Sequence, residues 1–145
     1  MEMALGIDVI QISRVQKVME RHPDRFLQRV YTPEEVAFCR GRASELAARF
    51  AAKEATMKAL GTGARGLAWR EIEVLPNRRG KPLIYLYGRA RERAEEIGLH
   101  SLDVSLTHTR QHALALVVGV QEAGIDEPGV ARDRLLRWLQ ERGRL

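Results

Sequence analysis

The chain has few of the features that mark secreted and membrane proteins. Cys39 is the only cysteine, which excludes an intramolecular disulfide and a cysteine-rich metal site. The longest strongly apolar run, residues 113–118, is far too short to cross a bilayer. The first residues do not show the succession of basic segment, long apolar segment and small-residue cleavage site that marks export. We therefore expect a cytoplasmic protein that has no membrane partner.

Aromatic residues are also few and scattered, with three Tyr, three Phe and two Trp, which disfavours a surface that stacks nucleic-acid bases. The net charge of +5 favours an anionic partner: nucleic acid, an acidic protein or a phosphorylated small molecule. A basic nucleic-acid-binding module is one alternative, but the sequence matches no motif of that class. We therefore expect no nucleic-acid partner.

A length of 145 residues suits one domain with a real core. Hydrophobic periodicity and turn residues predict a mixed α+β chain. The last strand is apolar on both faces, so we expect it to lie centrally in its sheet. The predicted strands are 4–10, 69–75, 83–87, 102–107 and 113–120, and the predicted helices are 13–22, 33–40, 44–60, 89–97 and 130–142.

Capping signals place several helix ends. Ser13 opens a capping-box pattern, and Thr32 opens a second one with proline at the first helical position. Gly61 can supply the left-handed C-terminal cap of the long helix. We place the main domain at 4–121. Residues 122–145 are predicted to be an extension, formed by a loop over 123–129 and an amphipathic helix docked on the domain or on a neighbouring subunit.

The segment from Arg49 to Gly63, RFAAKEATMKALGTG, is the most informative part of the chain. Glu54 and Lys58 lie one helical turn apart on a face otherwise made of small and apolar residues. A carboxylate and an ammonium group on a face that should be buried suggest chemistry. An ordinary Glu–Lys pair on a helix surface is the alternative.

Asp8 lies among small neighbours on the first predicted strand, although Asp is disfavoured in strands. Two carboxylates, completed by water and phosphate oxygens, are a usual way to hold Mg²⁺. Asp8 and Glu54 are therefore candidate metal ligands, and Lys58 could stabilise a transferring phosphate. Asp8 could equally be a turn carboxylate at the approach to a helix.

Two further features have both a functional and a structural interpretation. The turn at Gly61, Thr62 and Gly63 could let backbone amides approach a phosphate, although it lacks a P-loop ending and a helix cap is the default. His108 lies at a strand end, where it could contact a phosphate or move a proton, but a lone histidine is more often structural.

A basic stripe on the first helix has a similar ambiguity. Its spacing suits docking of an acidic helix from another protein, or simply a solvated helix face. The stripe consists of Arg14, Lys17 and Arg21, extended by Arg25.

Five motifs follow one another along the chain: GIDV at 6–9, RFAAKEA at 49–55, KALGTG at 58–63, GKP at 80–82 and SLTHT at 105–109. In this order, they resemble the bacterial holo-acyl-carrier-protein synthases, the short class of 4′-phosphopantetheinyl transferases, over residues 4–121. The resemblance implies an α+β 4′-phosphopantetheinyl transferase fold, with a small antiparallel sheet packed on a long helix, in a homotrimer.

The resemblance also implies an activity: Mg²⁺-dependent transfer of the 4′-phosphopantetheine arm of coenzyme A to a serine of apo acyl carrier protein. The by-product is adenosine 3′,5′-bisphosphate, and the product would serve fatty acid and other lipid biosynthesis, with polyketide synthesis as the open alternative. The implied catalytic residues are Asp8, Glu54, Lys58 and His108, with Asp8 and Glu54 on the metal. The serine proton acceptor stays open between Glu54, His108 and water held by the metal carboxylates, of which we favour water.

Coenzyme A and the carrier protein are the implied partners. The resemblance places the acidic carrier on the stripe of Arg14, Lys17, Arg21 and Arg25. Arg40 and Arg42 are loose candidates for the 3′-phosphate. The coenzyme A site would be lined by Arg49, Lys58, Gly61, Thr62, Gly63 and Pro82, and closed from a neighbouring subunit by Ser105, His108 and Thr109.

Another Mg²⁺-dependent phosphoryl-transfer or phosphodiester enzyme is the alternative within enzymes. Such an enzyme would share Asp8, Glu54 and Lys58 but would have no use for the basic docking stripe. The chain departs from the family pattern at Thr56, where an apolar residue is more usual, and in its extension from 122 to 145, to which no family role carries over.

Overall fold

The computed structural model describes residues 1–122 and 128–145, and it confirms the predicted α+β class. The elements are β1 (Glu2–Gln11), α1 (Ile12–Arg21), α2 (Pro23–Val30), α3 (Pro33–Cys39), α4 (Ala43–Ala59), a 3₁₀ turn (Trp69–Glu71), β2 (Ile72–Pro76), β3 (Pro82–Leu86), α5 (Gly88–Glu96), β4 (Ser101–His108), β5 (His112–Gln121) and α6 (Pro128–Glu141). No helix in this described part is long and apolar enough to span a membrane.

The main sheet is antiparallel and has the order β1-β5-β4, while β2 and β3 form a separate hairpin. The prediction that the last strand is central is therefore confirmed. The long helix α4 packs across the inner face of this sheet, where both partners present small side chains that allow a close approach. The buried residues of this contact include Ala47, Ala51, Ala55, Ala113, Ala115 and Val117.

The end of α4 is a tight left-handed turn, as predicted. Gly61 has a φ of +75°, and its N–H donates to the carbonyl of Lys58. The N–H of Thr62 donates to the carbonyl of Met57. These two hydrogen bonds form the Schellman pattern, which needs a residue that tolerates positive φ.

The structure confirms one of the two predicted capping boxes. The capping box at Thr32 is confirmed, because its side chain accepts from the Glu35 N–H and the Glu35 side chain accepts from the Thr32 N–H. The box at Ser13 is wrong. Helix α1 starts at Ile12, directly after β1, and its N-cap residue Gln11 makes no side-chain capping bond.

Other boundaries also differ from the predictions. Residues 69–71 form a 3₁₀ turn before β2. The sequence does not predict helix α2, because Pro23 indicates the end of α1, whereas in the structure it is the first residue of a new helix. Residues 123–127 of the predicted loop lie outside the described residues. Pro128 and Gly129 already belong to α6.

A buried ion pair joins α3, α4 and β2. The ammonium of Lys53 donates to Oε1 of Glu35 over 2.7 Å, and both side chains are fully buried. Lys53 also donates to the Trp69 and Ile72 carbonyls, and the Val74 N–H donates to the second Glu35 oxygen. Burial lowers the pKa of Lys53, while Glu35 acts in the opposite direction. The pair thus fixes the 3₁₀ turn and β2 to α4.

Candidate active site

The carboxyl groups of Asp8 and Glu54 meet where β1 crosses α4. They are close enough for Asp8 to affect the ionisation of Glu54. Burial raises the pKa of Glu54 above its ordinary value, and Asp8 raises it further, whereas Lys58 and Arg14 lower it. When two carboxyl groups lie this close, their mutual repulsion opposes the ionisation of both. A bound cation would offset this repulsion.

Lys58 completes this group from the next turn of α4. Its ammonium donates to the carbonyl of Ile7 over 2.7 Å and lies 3.3 Å from Oδ1 of Asp8. Helix α4 is buried on nearly all sides, and Glu54 and Lys58 are among its few residues that reach solvent. This pair therefore marks an opening to solvent on a helix that is otherwise largely buried.

A cleft of about 210 Å³ adjoins the acid pair. Its lining includes Glu54, Lys58 and Gly63, which the sequence indicated. It also includes Trp69, which was missed, although its indole stacks on Phe50 of the RFAAKEA motif at 4.7 Å between ring centroids. The predicted phosphate-binding turn is thus brought, through Gly63, beside the candidate metal ligand Glu54.

A second cleft, of about 460 Å³, lies at another part of the surface. Three predicted coenzyme A residues line it together: Arg49, Pro82 and His108. The Arg49 guanidinium already makes two hydrogen bonds there: its Nε donates to the Val74 carbonyl, and its Nη1 donates to the Glu45 carboxylate. Arg78 also lines this cleft and was missed, although the basic run before Gly80 is a visible signal.

The remaining predicted contacts are more dispersed. Ser105 lines a shallow depression of about 400 Å³ with Pro82 and faces the outer side of the sheet. The hydroxyl of Thr109 accepts from two backbone N–H groups in the β4–β5 turn. Arg42 caps α3 by donating to the carbonyls of Cys39 and Phe38, and Arg40 is exposed in a left-handed conformation.

The basic stripe is exposed along its whole length but spans two helices. Arg14, Lys17 and Arg21 lie on α1, whereas Arg25 lies on α2. Arg14 is near enough to Glu54 to lower its pKa, so this end of the stripe is the one that acts on the acid pair.

The donor set fits a hard divalent cation that is shared with a substrate. Within residues 1–122 and 128–145, no group of three or more His, Cys, Asp or Glu side chains could hold a metal by itself. Mg²⁺ commonly uses one or two carboxylates and takes its other oxygens from water and phosphate. Asp8 and Glu54 meet this requirement.

Comparison with known proteins gives consistent relatives. The 4′-phosphopantetheinyl transferase superfamily model matches residues 4–117. The holo-[acyl-carrier-protein] synthase of Moorella thermoacetica is 47% identical over 127 residues, covering 86% of this chain and 97% of the relative. The same-named protein of Herpetosiphon aurantiacus is 47% identical over 122 residues, covering 79% and 96%.

Solved structures agree with the sequence relatives. The Helicobacter pylori holo-[acyl-carrier-protein] synthase, solved with coenzyme A, is 33% identical and covers 80% of this chain and 99% of its own, with a TM-score of 0.74. The Neisseria meningitidis enzyme of that name covers 81% and 98% at 32% identity and a TM-score of 0.75. The chain therefore belongs to the 4′-phosphopantetheinyl transferase superfamily and is an enzyme of the transferase class.

Proposed function

We propose that this enzyme transfers the 4′-phosphopantetheine group of coenzyme A to a serine of apo acyl carrier protein and releases adenosine 3′,5′-bisphosphate. The observation that carries the proposal is the convergence of Asp8, Glu54 and Lys58 at one opening of α4. The names of the relatives and the coenzyme A in the Helicobacter pylori structure support it.

Asp8 and Glu54 hold Mg²⁺ in this proposal, which rests on their adjacent carboxyl oxygens and on the raised pKa of Glu54. When bound, Mg²⁺ would neutralise the diphosphate and stabilise the charge that develops on it. The chain's own contribution is geometric: β1 and α4 present the two carboxylates on one side of the cleft, with the Gly61–Gly63 turn following α4.

Lys58 supplies a fixed positive charge at the same place. Its ammonium is held by the Ile7 carbonyl, which orients the group while leaving about half of the side chain exposed. An oriented ammonium that is still accessible can contact a diphosphate oxygen as negative charge moves onto the departing nucleotide.

The transfer is a displacement at the phosphorus nearest to the pantetheine arm. The serine oxygen bonds to this phosphorus, and the bond to the bridging oxygen breaks, so that oxygen leaves with adenosine 3′,5′-bisphosphate. The serine proton passes to a water molecule held by the carboxylates of Asp8 and Glu54. His108 is the less favoured acceptor, because it lines the second cleft with Arg49 and Pro82, which assigns it to coenzyme A binding in this proposal.

A homotrimer with sites between subunits is part of the proposal. The outer face of β1 exposes Leu5, Ile7 and Val9, each more than half accessible, beside Leu116 of β5. A contiguous apolar face of this kind is typical of an interface. Glu54 and Arg49 point about 140° apart around α4, so their two clefts face different ways, and one site that uses both must combine two copies.

The carrier protein docks on the stripe of Arg14, Lys17, Arg21 and Arg25 in this proposal. The exposure of all four residues supports this placement. So does the electrostatic effect of Arg14 on Glu54, because a carrier bound along α1 would bring its serine towards Glu54. Reaction in the cytoplasm stays a prediction.

Intact mass spectrometry of apo acyl carrier protein tests the function directly. We expect a gain of about 340 Da, the mass of the arm, that requires both coenzyme A and Mg²⁺. A reaction in which EDTA removes Mg²⁺ is the matched control. No mass gain with several apo carriers would contradict the transfer, and an undiminished gain in EDTA would contradict the metal assignment.

A further inference from the structure

Helix α6 presents apolar side chains that the rest of the described chain does not cover. None of its residues is buried, and Val130, Leu135 and Trp138 are 45%, 55% and 39% exposed. The family match ends at residue 117, and the Moorella relative aligns over 97% of its own length with only 86% of this chain. This helix therefore lies outside the part of the chain that matches the family, and its exposed apolar stripe indicates a binding partner.

The same segment is strongly basic. Residues 128–145 contain five arginines and two acidic residues, a net charge of +3. The Arg142 guanidinium lies 4.2 Å from the centroid of the Trp138 ring, and that of Arg144 lies 5.5 Å from it. An apolar ring surrounded by cations suits a partner patch in which apolar groups are surrounded by carboxylates.

The positive charge of residues 1–122 argues against the attached domain, or a second copy of the chain, as the partner of α6. Residues 1–122 contain 19 lysines and arginines against 15 acidic residues, so both the attached domain and a second copy are basic. Like charges at an interface are costly. A membrane-binding helix inserts an unobstructed apolar face. Here, by contrast, two guanidinium groups lie over the Trp138 ring.

We infer that α6 docks an acidic surface of the apo carrier protein, as a second contact besides the one on α1. This inference rests on the proposed function. Gln121 pairs with Glu2, which is six residues, or about 20 Å, along β1 from Asp8. The six residues 122–127 can span at most about 20 Å more. Helix α6 therefore begins within about 40 Å of Asp8, so a carrier whose serine lies at Asp8 can also contact α6. Two linked contacts strengthen binding.

Three variants test this inference: truncation after Glu122, Arg137→Glu, and the double variant Leu135→Ser/Trp138→Ser. The matched control is Arg91→Glu, which reverses an exposed arginine on α5. Initial rates are measured with apo carrier varied at saturating coenzyme A, at low and high salt. Light scattering gives the subunit number, and sedimentation with anionic phosphatidylserine vesicles tests lipid binding.

We expect truncation to raise KM for the carrier about tenfold, with kcat and KM for coenzyme A unchanged. Arg137→Glu should raise KM mainly at low salt, and the double variant at both salt concentrations. Arg91→Glu should match the wild type. An unchanged KM in all three variants would overturn the inference, as would a lower subunit number after truncation or vesicle binding that depends on α6. Absence of transfer by the intact chain would contradict the proposed function instead.

Discussion

Gly6 of β1 lies directly against the backbone of Ala55 in α4. A Cβ atom added at position 6 would lie 1.7 Å from the Ala55 carbonyl oxygen, well inside any allowed contact. This approach follows from the absence of a side chain, and it brings Asp8, two residues along the strand, to Glu54, the neighbour of Ala55. The acid pair thus depends on a glycine that contributes no functional group.

We expect Gly6→Ala to abolish most activity, because the strand must move away from α4. Overpacking usually costs about 1–3 kcal/mol, and a clash with backbone should place this variant at or above that range. Urea unfolding measures the stability, and the mass assay measures the transfer. Gly129→Ala is the control for the stability measurement, since nothing lies within 4 Å of its added Cβ. Near-normal turnover in Gly6→Ala would show that the close approach is dispensable.

The raised pKa of Glu54 predicts a pH-dependent effect on stability. Folding favours its protonated form, so this contribution is complete below the ordinary value of 4.5 and is lost as pH rises through the raised value. Without divalent cations, Glu54→Gln should therefore have a higher Tm than the wild type at pH 8 and an equal Tm at pH 4.

Thermal unfolding in EDTA between pH 4 and pH 8 checks this expectation. Addition of Mg²⁺ should raise the wild-type Tm at pH 8 and leave that of Glu54→Gln unchanged, because only the wild type retains both carboxylates. Glu95→Gln on the exposed surface of α5 controls for general charge effects. A Glu54→Gln protein that is less stable than the wild type at pH 8 would contradict the electrostatic account.

The buried pair of Lys53 and Glu35 predicts a different response to mutation. Lys53→Met leaves the Glu35 carboxylate buried without its cation, which should cost about 3–5 kcal/mol in the free energy of unfolding. Adding Glu35→Gln removes the unpaired charge and should restore part of the loss.

The surface pair of Lys81 and Asp103 is the matched control, because its 2.6 Å contact is similar but both side chains are at least half exposed. Lys81→Met should change the free energy of unfolding by less than about 1 kcal/mol. Equal losses for Lys53→Met and Lys81→Met in urea titrations would show that burial does not govern these pairs.

The closeness of Asp8 and Glu54 agrees with the sequence, because the alternation of β1 and the turn spacing of α4 each place one carboxylate among small neighbours. Their role as metal ligands stays a prediction. Tertiary contacts were needed for the rest. Lys53 has no local partner, since Glu35 lies 18 residues earlier, so its burial could not be foreseen. Helix α2 was missed because Pro23 both ends one helix and begins another.

Arg14 and Arg21 should respond differently to charge reversal, although both belong to the proposed docking stripe. Arg21→Glu should raise KM for the carrier about tenfold and leave kcat unchanged, because it acts only at the protein contact. Arg14 also acts on Glu54, so Arg14→Glu should raise the same KM and lower kcat. Steady-state rates with either substrate varied separate these effects. A coenzyme A-specific defect in Arg21→Glu would remove that residue from the docking surface.

Mixing of two inactive variants tests whether sites combine residues of neighbouring subunits. Glu54→Gln disables the first cleft, and the double variant Arg78→Glu/His108→Ala disables the second, which the structure places elsewhere on the protomer. If each trimer site takes one cleft from each of two copies, co-refolding at equal amounts leaves about one quarter of sites with both clefts intact. Transfer activity should then return to about that fraction of the wild-type value.

Mixing without co-refolding is the control for slow exchange of subunits, and the mixture should stay inactive. Activity that never exceeds the sum of the separate variants after verified co-assembly would place both halves of the site in one subunit.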